Sequence, residues 1–434
     1  MFARLAVSTA ASLFIAACGG GATDARASTV PADSALPGEL VVKLRFTADL
    51  QGVLATHQLS LAGAFGARPI YRLSLVGAAD LNAKLAALTA DARVMLAEPN
   101  FQASSPEARK SSVWAIGSQG EYTAQWAPQS LNLAQAHTLA SGAGMRVALL
   151  DTGVDLRHPA LAGRLLAGRD FVDGDTDPSE GGAPGQVGYG HGTHVAGLVA
   201  LTAPSAKIMP LRVLDASGLG NTWVIAEALL YAVDPDGVPA TDDGAQIINL
   251  SLGTTQPTRL LDVVIELITC SDDDEDEDDD DYSDPGYNAD KERCNTRSGS
   301  VVIAAAGNGA SATEKQFPAA EAAEGALSVA ASNANSRLAS FSNSGNWIQI
   351  GAPGEGITST VPGGGYGVWS GTSMAAPITA GVAALVWSRN PAWKPVDVTK
   401  RITERSATLC GTALRRVDAA AAVADFVPPA TVCP

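Results

Sequence analysis

Residues 145–155, MRVALLDTGVD, pass from an unbroken apolar run, Val147 to Leu150, into an acidic residue and a glycine turn. A half-exposed strand would alternate apolar and polar residues; an unbroken run fits a strand of a parallel sheet covered on both faces. The same reading applies to AKIMPLRVLD (206–215), AQIINLSLG (245–253), GSVVIAAAGN (299–308) and GALSVAAS (325–332). From about Trp114 these segments alternate with helical patterns. The expected fold class is α/β, three layers with a mainly parallel sheet and helices on both faces. In such sheets functional groups gather at the carboxyl ends of the strands.

Four residues stand at such ends. Asp151 closes the first strand, and Asn308 follows the strand SVVIAAAGN. His191 lies in GYGHGTHVAGLVAL (188–201), where glycines give way to a helix, and Ser373 opens the Ala-rich run in WSGTSMAAPITAGVAALVW (369–387). An acid, an imidazole and a hydroxyl on Gly-rich turns are the parts of a nucleophilic triad. The alternative for DTG, an aspartic-protease dyad, needs a second copy that is lacking. Pro377 is expected in the first turn of its helix, where no N–H is needed. The 13-residue run from Ala375 is too short to span a bilayer.

In the order Asp, His, Asn, Ser, these motifs resemble the subtilisin-like serine proteases, the subtilases, over roughly residues 113–427. The resemblance implies that Ser373 attacks the scissile carbonyl, His191 moves the proton, Asp151 orients the imidazole and Asn308 donates to the oxyanion. It further implies an extended substrate strand between Ser251-Leu252-Gly253 and Ser217-Gly218-Leu219-Gly220. The first specificity pocket would be lined by Ala305, Ala306, Gly307 and the Gln316-Phe317 loop, and uncharged side chains are expected there. The chemistry requires no cofactor. Ala160 stands where calcium-binding members often have a carboxylate, which leaves Asp173, Asp175 and Asp177 as candidate ligands for structural calcium, or as ordinary Asx turns.

Upstream, residues 39–103 read as β-α-β-α-β and are similar to subtilase propeptides, a small α+β ferredoxin-like domain that inhibits the enzyme until cleaved. The polar stretch 104–112 reads as an exposed processing linker, with cleavage within 102–116, before a catalytic domain over 113–434. Residues 1–18 read as a signal peptide whose Ile15–Cys18 resembles a lipobox, with Cys18 as the lipidation site and 19–38 as a flexible linker. The expected setting is the bacterial cell envelope or the medium, and maturation would release the protease from its anchor.

The net charge of −16 argues against a nucleic-acid partner, and −11 of it lies in the acidic insert 271–293. Export leaves Cys270, Cys294, Cys410 and Cys433 to pair; of three connectivities, the neighbour pairing is expected. A helix-to-strand connection in this fold leaves the sheet opposite the active site, so the insert should not touch catalysis. The partners expected are a protein or peptide substrate and the chain's own propeptide, with the protein a monomer. The rival reading is a catalytically silent scaffold that binds through its acidic loop. A lipid or ester hydrolase is disfavoured, since no G-x-S-x-G elbow surrounds the serine.

Overall fold

The computed structural model describes residues 34–77, 80–109, 115–271, 291–295, 299–321, 323–424, 426–428, 431 and 433. Cys18 and most of the acidic insert lie outside these residues. In the first unit, strands β1 (Ala35–Leu44), β2 (Leu59–Ala64), β3 (Ile70–Leu75) and β4 (Val94–Ser104) pair antiparallel in the order β2-β3-β1-β4. Strand alternation sets the packing. Leu40, Val42 and Leu44 share a core with Val53 and Leu88 of the helices Leu50–His57 and Leu81–Thr89, whereas Val41 belongs to the core that contains Trp223.

This unit differs from the sequence reading in one element. The β-α-β-α-β order has no strand between the first helix and β3, but that helix ends at His57, where Gln58 turns left-handed at φ 52°. The strand β2 follows. Only its first residue, Leu59, is buried, and Gln58 alone separates the strand from the helix before it.

The second unit is built on a main sheet of nine strands. A short three-stranded sheet is formed by β5 (Ala115–Gly117), β14 (Ile357–Val361) and β15 (Gly365–Trp369). The main sheet comprises β6 (Arg146–Asp151), β7 (Arg169–Asp170), β8 (Lys207–Arg212), β10 (Ile247–Leu250), β11 (Val301–Ala305), β12 (Ala326–Ser332), β13 (Ile350–Pro353), β16 (Ala407–Thr408) and β17 (Arg415–Arg416). Their order is β16-β17-β13-β12-β11-β10-β6-β8-β7, and every pairing is parallel except β16 with β17. Val147 and Leu149 pack with the helices His191–Thr202 and Thr372–Arg389; Ala148 and Leu150 pack with Thr222–Val233 and Arg259–Thr269 on the opposite face. Both faces are covered, as the unbroken apolar runs require. Among the described residues no helix is long and apolar enough to cross a membrane.

Cys270 is bonded to Cys294 and Cys410 to Cys433. The first bridge lies beside the amino end of β11, where Ser300 N–H donates to Ile268 O, while Asn308 lies beyond the other end of that strand.

The two units are joined by side chains of β4. Glu98 accepts from Thr258 Oγ1 (2.7 Å) and from the backbone N–H of Arg259 (2.9 Å) and Leu260 (3.1 Å), capping the Arg259–Thr269 helix. Asn100 Oδ1 accepts from Trp223 N–H at the start of the Thr222–Val233 helix (3.1 Å). A further edge forms where β4 pairs antiparallel with β9 (Leu219–Asn221). In a Ser373→Ala background, Glu98→Ala removes the acceptor of the Thr258 hydroxyl and of two backbone N–H groups at the helix start. It is expected to lower stability by about 1–3 kcal/mol in urea unfolding.

Candidate active site

Each candidate residue is carried to the carboxyl edge of the parallel sheet by a different element. Asp151 ends β6, and its Oδ1 accepts from its neighbour's N–H, Thr152, at 2.8 Å. His191 opens its helix after Gly190, whose φ of 86° suits glycine. Its Nδ1 lies 2.7 Å from Asp151 Oδ1, so Nδ1 carries the proton that Asp151 accepts. Both residues are buried, as is Ser373.

Ser373 sits in the first turn of the Thr372–Arg389 helix, at the positive end of its dipole. Pro377 lies one turn deeper than the sequence reading places it, inside the helix rather than in its first turn. It has no N–H for the carbonyl four residues earlier, which belongs to Ser373. Ser251 Oγ fills that place, donating to Ser373 O at 3.0 Å. Asn308 is oriented from the same turn: its Oδ1 accepts from Thr372 N–H (2.9 Å) and Thr372 Oγ1 (3.0 Å), which aims its Nδ2 at the site.

The position between these groups is filled by Glu107. Its Oε2 accepts from Ser373 Oγ at 2.7 Å and lies 3.0 Å from His191 Nε2, while Oε1 accepts from Asn308 Nδ2 at 2.9 Å. Sequence reading places Glu107 in an exposed linker. Instead Ser104, Ser105 and Glu107 are all buried in the cleft, because a carboxylate finds there the donors that burial would otherwise remove. Nothing in SSPEARKSS signals this, since the partners are 84 to 266 residues away.

The approach to Glu107 is an extended strand. Ser104 exchanges two backbone hydrogen bonds with Gly253 (2.9 and 3.0 Å), and Ser105 N–H donates to Gly218 O (3.0 Å). On the other side Ala103 pairs with Gly220. So Gly218, Gly220 and Gly253 form two rims, while Ser217 points to solvent, Leu252 is core and Ser251 supports Ser373. Ala306 is buried, Gly307 donates its N–H to Thr372 Oγ1, and Phe317 bridges Thr254 beside the Gly253 rim.

Charge at the site is dominated by the pairing of His191 with two carboxylates. Burial opposes a charged ring, yet Asp151 first and Glu107 second hold the His191 pKa well above the usual imidazole range. Burial likewise opposes the Glu107 carboxylate, but His191, Ser373 and Asn308 outweigh it and hold its pKa below the ordinary value. His194, one turn on, behaves oppositely. It is buried against Trp369 and pushed down to about 3, so it stays neutral.

The carboxylates at 173–177 are used within their loop. Asp173 faces Arg212, and Asp175 and Asp177 accept from N–H groups two residues on. Among the described residues a carboxylate trio that does converge is Asp234, Asp236 and Asp243, elsewhere on the surface.

The profile of the subtilase family, Peptidase_S8, matches residues 142–423. The chain belongs to the subtilase family. Thermitase of Thermoactinomyces vulgaris is 38% identical over 61% of the chain and 82% of its own length. A thermophilic serine proteinase of Bacillus sp. (strain AK1) is 33% identical over 79% of the chain and 74% of its own. The structure of fervidolysin from Fervidobacterium pennivorans, a keratinolytic enzyme related to subtilisin, superposes with a TM-score of 0.68 at 22% identity, covering 92% of the chain and 63% of fervidolysin. This subtilase is therefore a serine-type endopeptidase, with the fold of its relatives.

The Glu107–His191 contact has a pH signature. The lowered Glu107 carboxyl favours docking above its ordinary pKa of about 4.3. Asp151 stays on His191 with or without Glu107, so only the part of the upward shift that Glu107 adds favours docking, and it does so while the ring is charged. Docking is tightest where Glu107 is ionised and His191 is charged. It weakens as pH falls through the Glu107 pKa, and again as pH rises through that of His191. In the intact Ser373→Ala chain, His191 is expected to titrate well above 6.5 by NMR, and Glu107→Gln to bring it down by about 1–3 pH units.

Proposed function

We propose that the chain is an exported subtilase made as a latent precursor, in which Ser373, His191 and Asp151 cleave peptide bonds and Asn308 stabilises the oxyanion. The observation that carries this reading is the Glu107 carboxylate. One of its oxygens meets Ser373 Oγ and His191 Nε2, the other meets Asn308 Nδ2, as the carboxylate of a cleaved peptide product would.

In the free enzyme Ser373 Oγ attacks the scissile carbonyl while His191 Nε2 takes its proton. Asp151, already bonded at Nδ1, stabilises the imidazolium. As the carbonyl oxygen gains charge, Asn308 Nδ2 and the Ser373 N–H donate to it, and His191 then protonates the leaving amine. Substrate adds as a strand between Gly218–Gly220 and Gly253, the place residues 103–105 take in the intact chain.

Residues 39–103 act as the propeptide. While Glu107 is docked, His191 is held as an imidazolium between two carboxylates and cannot serve as a base. Cleavage within 102–116 frees the cleft. The N-terminal segment directs export, Cys18 carries lipid, and cleavage separates the protease from that anchor.

A casein zymogram of wild type against Ser373→Ala tests the assignment. Clearing is expected only from wild type; clearing by the variant overturns the reading. Asn308→Ala is expected to lower kcat about 10²–10³-fold, a figure that comes from subtilisin itself.

A further inference from the structure

Glu180 touches none of the reacting atoms, yet it joins the two segments that carry Asp151 and His191. The chain around it lies against the turn after β6. Val154 N–H donates to Pro178 O (3.0 Å) and Glu180 N–H donates back to Val154 O (3.3 Å). A Cβ on Gly153 would meet Ser179 O at 2.4 Å, so only glycine lets the two backbones lie so close.

From this position the Glu180 carboxylate reaches both segments. Thr152 Oγ1 donates to its Oε1 at 2.5 Å; Thr193 Oγ1 donates to Oε2 at 2.6 Å, joined by Thr193 N–H at 3.2 Å. The polarity of these bonds is set from outside. Thr152 Oγ1 already accepts from Gly192 N–H (3.0 Å), and Thr193 Oγ1 already accepts from Asp155 N–H (2.9 Å). Each hydroxyl therefore turns its proton towards Glu180. The result is a closed ring across the Asp151 turn and the first turn of the His191 helix, where a negative charge also suits the dipole. Burial, aided by the neighbouring Asp151, pushes the Glu180 carboxyl up to about 7 against the pull of Thr152, Thr193 and the Gly190 N–H. So costly a group is explained by what it holds together.

We propose that Glu180 is a positioning residue for peptide hydrolysis, setting the Asp151 turn against the His191 helix and so fixing the Asp151–His191 contact. The link is short. Thr152, which donates its hydroxyl to Glu180, also donates its N–H to Asp151 Oδ1, the oxygen that faces His191 Nδ1. The proposal rests on the assignment of Asp151 and His191 to catalysis.

The test measures kcat and KM on a chromogenic peptide for matured wild type, Glu180→Gln and Thr152→Val, with Ser373→Ala as the inactive control. Each rate is normalised to folded protein from thermal unfolding. Glu180→Gln turns an amide N–H onto groups that are themselves donors. It is expected to lower kcat by on the order of tenfold to a hundredfold with KM within about twofold, as loss of geometry at a reacting pair does. The low-field NMR signal of the His191 Nδ1 proton should move with it. An unchanged kcat, or a loss carried by KM alone, overturns the proposal. Should Glu180→Gln not fold, Thr152→Val reads the same link, and an unchanged kcat there overturns it equally. Activity remaining in Ser373→Ala would instead sink the catalytic assignment, so the two failures are distinguishable.

Discussion

A buried imidazole can carry charge only where carboxylates face it, and the fold is arranged to meet that condition at His191. Asp151 comes from β6 and Glu107 from the segment after β4, and together they contact both ring nitrogens. Two helices on one face of the parallel sheet supply the imidazole and the serine. Helices on the other face receive the small unit, whose last strand delivers Glu107. Moving any one of these elements would leave a charge buried without its counterpart, which is far more costly than a lost surface contact.

What could be read from the sequence follows from how local each signal is. Asp151, His191, Asn308 and Ser373 are legible because each ends or begins an element and stands among glycines that permit close approach. The parallel sheet is legible because strands buried on both faces cannot hide their apolar runs. β2 is not legible, since a single left-handed residue, Gln58, separates it from the helix before it. Glu107 and Glu180 were not legible either. Acidic residues in polar loops look solvated until the chain brings distant donors to them, and Pro377 reads as a helix starter until the boundary of its helix is known.

The small unit does its work by satisfying polar groups rather than by apolar burial alone. Glu98 and Asn100 answer the open N–H groups of two helices, Ser104 and Ser105 complete two strand edges, and Glu107 occupies the donors around Ser373. Almost all of these contacts fall within ten residues of one strand and its extension. That concentration makes one short segment decisive for the docking of the small unit.

The proline in the serine's helix has a wider consequence. By leaving the Ser373 carbonyl without its usual helical donor, Pro377 passes that bond to Ser251, two residues from the Gly253 rim. With the roles proposed for Ser373 and the Gly253 rim, recognition and turnover are mechanically coupled. Remodelling the rim would tug on the Ser373 backbone, so variants selected for altered preference should drift in rate.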